Sequence, residues 1–480
     1  MSQFFQIQDI GAITPELELV AFGMFLLIFD LLIPDKRKLG LIALAGIAIS
    51  GLFLFRLRNT DFSAYGGVLA LDPFSIFFKS IFLIAAALSI AISLKYLDIE
   101  RENHGEYYAL ILFATMGMMF MAGAVDLVTL YIGLETMAIA TYILVGFLRS
   151  NQRSNEASMK YFLLGAFSSG ILLYGMSLLY GLSGSTRFVD IAEALSRRPL
   201  TDPISMMAMI TLSAGMFFKV AAVPFHQWTP DAYEGAPTSI TAFMSVAVKA
   251  ASFAMMVRIF MVAIYPLRPQ WLPIMAAVSV MTMTIGNIAA ITQSNVKRML
   301  AYSSISHAGY ILIGFIAGNE TGLTAVPLYL FIYTFTNLGA WAVIVALRRK
   351  DVIGEQIDDM AGLFFRHPSG AVLMLIFLLS LAGIPPTAGF IGKYYLFAAA
   401  IQTGHNTLAV IAVLNAAISI YFYFRIVVSM FMREATEKTG LVYAPGLTMT
   451  LAIAIFFTLL IGVYPDPFIA MARQAVVLGF

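Results

Sequence analysis

Long uninterrupted runs of apolar residues are the feature that most constrains how this chain can fold. A run of about 18 or more such residues is typical of a membrane-spanning helix, because only a helix of that length crosses roughly 30 Å of hydrocarbon with its backbone groups satisfied. Such runs follow one another along 480 residues, of which 60% are hydrophobic and only 12% are charged. The sequence therefore predicts an all-α membrane protein.

The runs predict fourteen transmembrane spans in a single polytopic membrane domain of residues 1–480. The predicted spans are 15–34, 39–57, 73–97, 107–124, 126–148, 157–183, 203–223, 237–264, 271–292, 300–318, 324–347, 368–401, 406–432 and 446–473. Most connections between them are short. The segment 184–202 is predicted to form an amphipathic helix on the membrane surface, and 348–367 to form a polar loop. Neither segment is large enough for a soluble domain.

The basic residues of the connections predict the orientation of the chain, because lysine and arginine accumulate on the inner side of a membrane. With the N-terminus outside, fifteen of them fall in inner connections and seven in outer ones. Both termini are therefore predicted on the outer side. The N-terminus has no targeting segment, which suits a bacterial plasma (inner) membrane.

The composition excludes several kinds of chemistry from this chain. The net charge of +2 indicates no nucleic-acid partner. The chain has no cysteine, which excludes disulfides and cysteine-ligated iron–sulfur clusters. Its five histidines lack metal-ligand spacing, and there is neither a dinucleotide-binding fingerprint nor a P-loop. We expect no cofactor here, so any redox or nucleotide chemistry belongs to a partner.

Two spans are interrupted by helix-breaking residues, and a lysine lies beside each interruption. In span seven Pro224 follows Lys219 by five residues, and span twelve is interrupted before Lys393. The interrupting residues of span twelve are Gly383, Pro385, Pro386 and Gly389. Freed backbone groups inside a membrane are tolerated only beside protein or water. The breaks therefore indicate a hydrated interior, although proline also kinks membrane helices that transport nothing.

The two breaks occupy matching places if the chain contains two units of five spans, residues 107–264 and 265–432. Helices 1–3, in residues 1–106, precede the units, and helix 14, in residues 433–480, follows them. Since five is odd, the second unit enters the membrane from the opposite side. This is the arrangement of an inverted-repeat transporter, whose broken helices lie in corresponding places.

Three ionisable residues lie in the middle of apolar runs: Glu135 in span five, Lys219 in span seven and Lys249 in span eight. A charge at such a depth costs at least about 2.5–3.5 kcal/mol, and intramembrane ionisable groups usually serve transport. Glu135 and Lys219 are natural partners. Moving the carboxylate away favours loss of the lysine proton, and its return favours uptake. The alternative is a static ion pair that fixes helix packing.

Other residues extend this hypothetical proton path. Lys249 and Lys393 continue it, and His226 and His307 bridge gaps, His307 between those two lysines. Each histidine is equally compatible with a hydrogen bond in a loop or a packed core. Lys160 is a further relay candidate, but Glu156 precedes it by four residues, which also fits a helix-stabilising ion pair.

The remaining intramembrane charges have structural interpretations. Lys79 is expected to extend to the membrane surface. Arg258 and Arg425 are expected to anchor helices. Glu18 and Asp30, in the first span, are expected to pair with a neighbouring subunit.

Four segments resemble the antiporter-like membrane subunits of respiratory complex I. They are RSNEASMKYFLLGAFSSG (153–170), KVAAVPFHQWTPDAYEGAPTSITAF (219–243), NVKRMLAYSSISHAGY (295–310) and SLAGIPPTAGFIGKYYLF (380–397). The segment WTPDAYEGAP, residues 228–237, resembles the N-type subunits of that family in particular. The resemblance covers essentially the whole chain. It implies fourteen helices, two inverted five-helix repeats, and discontinuous seventh and twelfth helices.

The resemblance also implies function. The key glutamate of the family matches Glu135, and its lysines match Lys160, Lys219, Lys249 and Lys393. It implies that the chain translocates protons while partner subunits, which hold FMN, iron–sulfur clusters and quinone, oxidise NADH. Antiporter-like neighbours and membrane lipids are further expected partners. Two other functions stay open at this point: a subunit of a multisubunit cation/proton antiporter, and a scaffold that transports nothing.

Overall fold

The computed structural model describes residues 7–348, 354–434 and 444–476, and the side chains from residue 9 onward. Residues 349–353 of the predicted polar loop lie outside these ranges. The described part is almost entirely helical, apart from one antiparallel hairpin between Phe62–Ala64 and Leu69–Leu71. An all-α architecture follows from the membrane, since a helix satisfies its backbone groups within its own segment.

The helices fall into four groups along the chain. The first group is α1 (Ile7–Ala12), α2 (Thr14–Asp30), α3 (Lys36–Arg56), strands β1 (Phe62–Ala64) and β2 (Leu69–Leu71), and α4 (Pro73–Glu100). The first unit is α5 (Gly105–Gly123), α6 (Leu127–Val145), α7 (Gln152–Ser183), α8 (Phe188–Ser196), α9 (Pro203–Lys219), α10 (Trp228–Gly235), α11 (Thr238–Phe243) and α12 (Lys249–Arg258). The second unit is α13 (Arg268–Ile291), α14 (Val296–Ala317), α15 (Glu320–Leu347), α16 (Leu363–Arg366), α17 (Pro368–Ala382), α18 (Ala388–Gln402) and α19 (Asn406–Met432). The chain continues with α20 (Pro445–Val463) and α21 (Asp466–Gln474).

These helices supply the fourteen predicted spans. Eleven helices of the described residues are long and apolar enough to cross a membrane. Span one is α2, span seven consists of α9 and α10, and span twelve of α17 and α18. The predicted fold, with two inverted five-helix units and discontinuous helices seven and twelve, is confirmed. The finer division of the domain stays a prediction.

Polar residues in the short connections explain where the spans begin. The side chains of Asp126, Asn151 and Asn295 accept hydrogen bonds from the first free N–H groups of α6, α7 and α14. These N–H groups have no partner inside the helix, so a short acceptor just before it fixes the first turn. Glycines in the left-handed conformation end α7 and α14, at Gly184 and Gly318.

The prediction for the last span was wrong in length. The sequence predicted a span over 446–473, but α20 ends at Val463 and α21 is a separate helix. Proline at 465 ends the hydrogen-bonding ladder of α20, and α21 starts at Asp466. The predicted amphipathic segment 184–202 contains α8, which buries one face through Phe188, Ile191 and Leu195.

The core of the protein is formed by spans eight, ten and eleven, which are buried along almost their whole length. Span eight runs over Thr238–Ala263 and contains two π-helical turns, Met244–Val248 and Ile259–Ala263. Spans ten and eleven are α14 and α15. The peripheral helices α3, α7, α19 and α20 expose apolar side chains on their outer faces. Polar groups on the three central spans are therefore enclosed by protein.

Candidate functional site

The first break separates α9 from α10, and residues 220–227 leave the helical path there. The predicted break at Pro224 is thus confirmed. Its freed backbone groups find partners within the protein. The indole N–H of Trp228 donates to the carbonyl of Phe218 at 3.0 Å, next to Lys219. The end of α9 is therefore fixed by a side chain of α10.

Lys219 is the last residue of α9 and is buried. Its ammonium donates to the hydroxyl of Ser169 at 3.3 Å and to that of Tyr142 at 3.5 Å. A cation in the last turn of a helix is stabilised by the helix dipole. Lys219 thus combines a favourable helix end with two neutral hydroxyl partners.

Glu135 lies on α6, two turns before Tyr142, whose hydroxyl accepts from Lys219. No nitrogen–oxygen distance between the side chains of Glu135 and Lys219 is within 4.0 Å, so they form no direct ion pair in this conformation. One Glu135 oxygen, Oε1, is buried and has no hydrogen-bond partner. This oxygen is therefore available to accept a hydrogen bond from a proton donor. The switchable pair stays a prediction, since its carboxylate is expected to lie away from the ammonium at one stage.

Lys249 lies at the centre of the protein, directly after the first π-helical turn of span eight. Its ammonium donates to the carbonyl of Ser304 at 2.5 Å and also to the Ser304 hydroxyl. Ser304 belongs to α14, so this contact joins the last span of the first unit to the second unit. Single π turns inside α-helices occur frequently at functional sites.

His307 lies one turn beyond Ser304 on α14 and is buried among hydroxyl groups. Its Nδ1 is 2.6 Å from the hydroxyl of Tyr329, and its Nε2 is 3.1 Å from that of Tyr423. The Tyr423 hydroxyl is also 2.5 Å from that of Ser303. Imidazole and hydroxyl groups both donate and accept, so this cluster is a continuous set of exchangeable protons.

The second break separates α17 from α18, and here Gly383 adopts φ 85°. A Cβ at this glycine would lie 2.7 Å from Cδ of Lys393. The Lys393 ammonium reaches back to the last carbonyls of α17, those of Leu381 at 3.0 Å and Ala382 at 2.8 Å. It also lies 5.0 Å from the ring centre of Tyr310. The predicted break at Gly383, Pro385 and Pro386 is confirmed, and it positions a buried lysine. Gly389 was also predicted to interrupt the span, which is wrong, because it already belongs to α18, where it allows close packing against Ser380.

The structure brings most of the predicted site residues into two clusters. Glu135 and Lys219 belong to the first, beside the first break. Lys249, His307 and Lys393 belong to the second, since Lys249 donates to Ser304, one turn before His307, and Lys393 lies 5.0 Å from the ring centre of Tyr310, one turn after it. This placement agrees with the prediction that His307 lies between them, while its role as a relay stays a prediction.

Lys160 and His226 lie apart from the buried clusters. Lys160 is exposed on α7 and forms ion pairs with Glu156 at 2.7 Å and Asp231 at 2.9 Å. The helix-stabilising contact with Glu156 is therefore confirmed. His226 lies half-buried in the first break, among the exposed Pro224 and Phe225. Relay roles for both residues stay predictions.

The structure corrects two interpretations of the remaining charges. Lys79 was predicted to extend to the surface, which is wrong, because it is fully buried and lies 2.6 Å from Glu16. This pair could not be predicted, because its two residues lie far apart in the sequence. Asp30 was assigned to a neighbouring subunit, but within this chain it pairs with Lys36 at 2.9 Å.

The two predicted anchors are confirmed. Arg258 donates to Asp72 at 2.8 Å and to the carbonyl of Ala122 at 3.1 Å, and Arg425 donates to the carbonyl of Ile291. Each arginine therefore holds its helix to another part of the fold.

The sequence interpretation missed three charged residues that contact one another: Asp231, Glu234 and Arg298. The Arg298 guanidinium is 2.6 Å from Asp231 and 3.0 Å from Glu234. A signal for them was available, since the acids lie in the segment 228–237 and the arginine in 295–310, both of which carry the family resemblance. Without the fold, nothing in either segment indicated that they meet.

Comparisons with known proteins agree with this architecture. Residues 124–419 match the family described as NADH:quinone oxidoreductase/Mrp antiporter, TM. NADH-quinone oxidoreductase subunit N 2 of Solibacter usitatus is 53% identical over 99% of each chain. NADH-quinone oxidoreductase subunit N of Trichlorobacter lovleyi is 46% identical, again over 99% of each chain.

Solved structures show the same fold. A chain of respiratory complex I from Thermus thermophilus with bound aureothin is 30% identical, with a TM-score of 0.82 over 96% of this chain and 99% of that one. A chain of the Mrp complex from Dietzia has a TM-score of 0.84 at 22% identity, over 98% and 97% of the two chains, and shows the fold alone.

Fold and site together define an antiporter-like membrane subunit, with two inverted units and a buried lysine beside each broken helix. The chain belongs to the NADH:quinone oxidoreductase/Mrp antiporter family, as a relative of the N subunits of NADH-quinone oxidoreductase.

Proposed function

We propose that this chain is the N subunit of a respiratory NADH:quinone oxidoreductase and that it moves protons across the membrane. The proposal rests on relatives of that name at 53% and 46% identity over nearly the full length. Electron transfer takes place in partner subunits, which hold FMN, iron–sulfur clusters and quinone. The absence of cysteine in this chain agrees with that division. Other membrane subunits, including antiporter-like neighbours, and lipids surround the chain.

The observation that carries the proposal is the set of buried lysines beside the two breaks and at the centre. Lys219, Lys249 and Lys393 are each at most 6% exposed, and none forms an ion pair within 4.0 Å among the described residues. An unpaired ammonium in the membrane is costly, so such groups are expected to exchange protons. Fixed ion pairs for helix packing have neutralising partners, as Lys79 has in Glu16.

Glu135 and Lys219 are proposed to act as a switch. When the carboxylate lies away from the ammonium, low dielectric favours release of the lysine proton. When the carboxylate approaches, its charge favours the protonated lysine. The hydroxyls of Tyr142 and Ser169 hold Lys219 in the conformation where the carboxylate lies away from it. His226 and Lys160 are proposed to act at the outer parts of this path, nearer to water.

Protons are proposed to continue through the second cluster. Lys249, His307 and Lys393 supply ionisable groups, and the hydroxyls of Ser304 and Tyr423 lie beside them. Each transfer passes one proton from a donor nitrogen or oxygen to a neighbouring acceptor, so charge and atoms are conserved. The chain itself undergoes no oxidation or reduction. We place it in a bacterial plasma membrane with both termini on the outer side.

Reconstitution tests this function against the alternatives. Vesicles containing the whole complex should acidify one compartment when NADH and quinone are added. Lys219→Ala should abolish most of this acidification while the subunit stays in the complex. Proton movement driven by a sodium gradient without electron transfer would instead identify a cation/proton antiporter. Normal acidification in an assembled Lys219→Ala complex would instead indicate that the chain is a scaffold that transports nothing.

A further inference from the structure

Charged residues hold the half-helix α10 from both units at once. Asp231 accepts from Lys160 of α7 at 2.9 Å through one oxygen and from Arg298 of α14 at 2.6 Å through the other. Arg298 also binds Glu234, one turn further along α10, at 3.0 Å. We call Lys160, Asp231, Glu234 and Arg298 the interunit network. A single carboxylate thus connects the first unit with the second.

The end of α10 is also tightly packed against both units. The Lys297 ammonium of α14 donates to the carbonyl of Ala236 at 2.8 Å, just beyond the last turn of α10. On the opposite side, a Cβ at Gly235 would lie 2.4 Å from Cβ of Ala157 on α7. A half-helix in this position has little freedom to shift without changing its ionic contacts.

The other end of α10 reaches the surroundings of Lys219. Trp228, one turn before Asp231, donates to the carbonyl of Phe218 and stacks on Tyr161 with ring centres 4.5 Å apart. Tyr161 in turn contacts the ring of Tyr142 edge-on at 4.7 Å. Since the Tyr142 hydroxyl accepts from Lys219, a continuous series of packed groups leads from Asp231 to that ammonium.

The second unit enters the same network through α14. Arg298 lies in the first turn of this helix, and Ser304, which holds Lys249, follows six residues later. A displacement of α14 that accompanies a change at Lys249 would therefore act on Asp231 directly. Coupling between sites needs such an element, whose position both sites influence.

We infer that Asp231 is a positioning residue that couples the two units, by holding α10 between Lys160 and Arg298 so that Trp228 fixes the end of α9 beside Lys219. The inference rests on the proposed function, since it concerns proton movement at Lys219. It assigns Lys160 a role in the position of α10. The ion pairs of the interunit network are partly open to solvent. Ion pairs in contact with water add little to stability as a rule, so the expected consequence lies in coupling rather than in folding.

The test is the number of protons moved per NADH by the whole complex in vesicles. Asp231→Asn removes the charge and keeps the shape, and we expect it to lower this number roughly 2- to 30-fold, the range for mutations along a coupling network. Asp231→Glu restores the charge and should recover most of the loss. The matched control is Asp358→Asn, which breaks an exposed pair with Arg433 at 2.6 Å. It should move protons like the unmodified complex.

A double-mutant cycle distinguishes coupling from two independent defects. Arg298→Gln should cause a similar loss, and Asp231→Asn combined with Arg298→Gln should be little worse than either alone, because the same interaction is removed. The inference would be overturned if the loss in the double variant equalled the product of the two single losses. Normal proton movement in Asp231→Asn would overturn it as well. If Asp231→Asn does not assemble, normal movement in Arg298→Gln overturns it. Failure of both variants to assemble would show a structural role and overturn it as well.

Lys219→Ala separates this inference from the proposed function. Loss of proton movement in Lys219→Ala together with normal movement in Asp231→Asn would reject only the positioning role. Normal movement in Lys219→Ala would reject the function on which it rests.

Discussion

Each of the two broken helices places a buried lysine beside its break, but the two lysines have different hydrogen-bond partners. In the first, the lysine lies before the break, at the end of its own half-helix, and its partners are the hydroxyls of Tyr142 and Ser169. In the second, the lysine lies after the break and reaches back to the carbonyls of Leu381 and Ala382. Both ammonium groups therefore lie near the negative end of a half-helix.

The difference lies in what can change around each lysine. Backbone carbonyls carry fixed dipoles, so the position of Lys393 depends on the course of the chain at Gly383. Lys219 instead has neutral hydroxyl partners, and we propose that the Glu135 carboxylate moves toward it and away from it. Charge at the first break can therefore be adjusted by an acidic neighbour, whereas the carbonyls that bind Lys393 directly supply a constant field.

The largest effect is expected from Gly383→Ala. A side chain in this left-handed conformation costs about 1–2 kcal/mol, and the new methyl group would displace Lys393. Loss of its charge-assisted hydrogen bonds adds about 1.5–3 kcal/mol each. We expect proton movement per NADH to fall below roughly a tenth. Gly404→Ala is the matched control, since Gly404 has φ 80° and open space around its Cβ position. Equal effects of the two would show that Lys393 is not held as described.

Glu135→Gln should have the next largest effect, because it removes the adjustable charge at the first break. Coupling energies between sites correspond to roughly 5- to 150-fold changes, and we expect proton movement per NADH to fall within that range. Lys219→Met combined with Glu135→Gln should be no worse than Lys219→Met alone. Glu193→Gln, at an exposed position of α8, serves as the control. If proton movement per NADH were undiminished in the Glu135→Gln complex, the proposed difference between the two breaks would be contradicted.

Ser304→Ala tests the connection between the units at Lys249. It removes the hydroxyl partner and so one charge-assisted hydrogen bond, a kind that contributes about 1.5–3 kcal/mol. Because the carbonyl still accepts from the ammonium, we expect only part of this energy to be lost and proton movement per NADH to fall roughly two- to tenfold. Ser306→Ala is the control, because its hydroxyl bonds only to the Ser303 carbonyl of its own helix. A larger loss in the control would contradict the role given to Ser304.

Tyr423→Phe should have the smallest effect. It removes the hydroxyl that joins Nε2 of His307 to Ser303, while the Tyr329 contact with Nδ1 remains. We expect about a twofold decrease in the same measurement, from one neutral hydrogen bond. Tyr421→Phe removes an exposed hydroxyl from the same helix and should change nothing. Identical behaviour of both variants would exclude the tyrosine from the path.

Much of the fold could be predicted because the membrane fixes helix length and penalises charge. Runs of apolar residues gave twelve of the spans with bounds close to those observed, and Pro224 and Gly383 marked the two breaks. Span seven was predicted to end at 223, because the half-helix α10 that continues it is polar. Glu135, Lys219 and Lys249 stood out as charges within apolar sequence. The last span was predicted too long, since residues beyond Pro465 are apolar enough to continue it.

Partners distant in sequence could not be predicted. Lys79 and Glu16 meet because α4 and α2 both pack against α5, and Lys160 meets Asp231 because α10 packs on α7. The missing contact between Glu135 and Lys219 depends on side-chain conformation, which hydropathy does not contain. The carbonyls that accept from Lys393 are free only because α17 ends there. The sequence therefore indicated the lysine but not its hydrogen-bond partners.

Lys249 gives the most direct test of the claim that protons cross this chain through buried lysines, because it lies between the units. The measurement is the number of protons moved per NADH oxidised in vesicles containing the Lys249→Met complex. Lys95→Met, at a half-buried lysine of α4 outside both units, is the control. Our account predicts a clear decrease for Lys249→Met, with the chain still assembled, and an unchanged number for the control. An unchanged number in Lys249→Met would contradict the account.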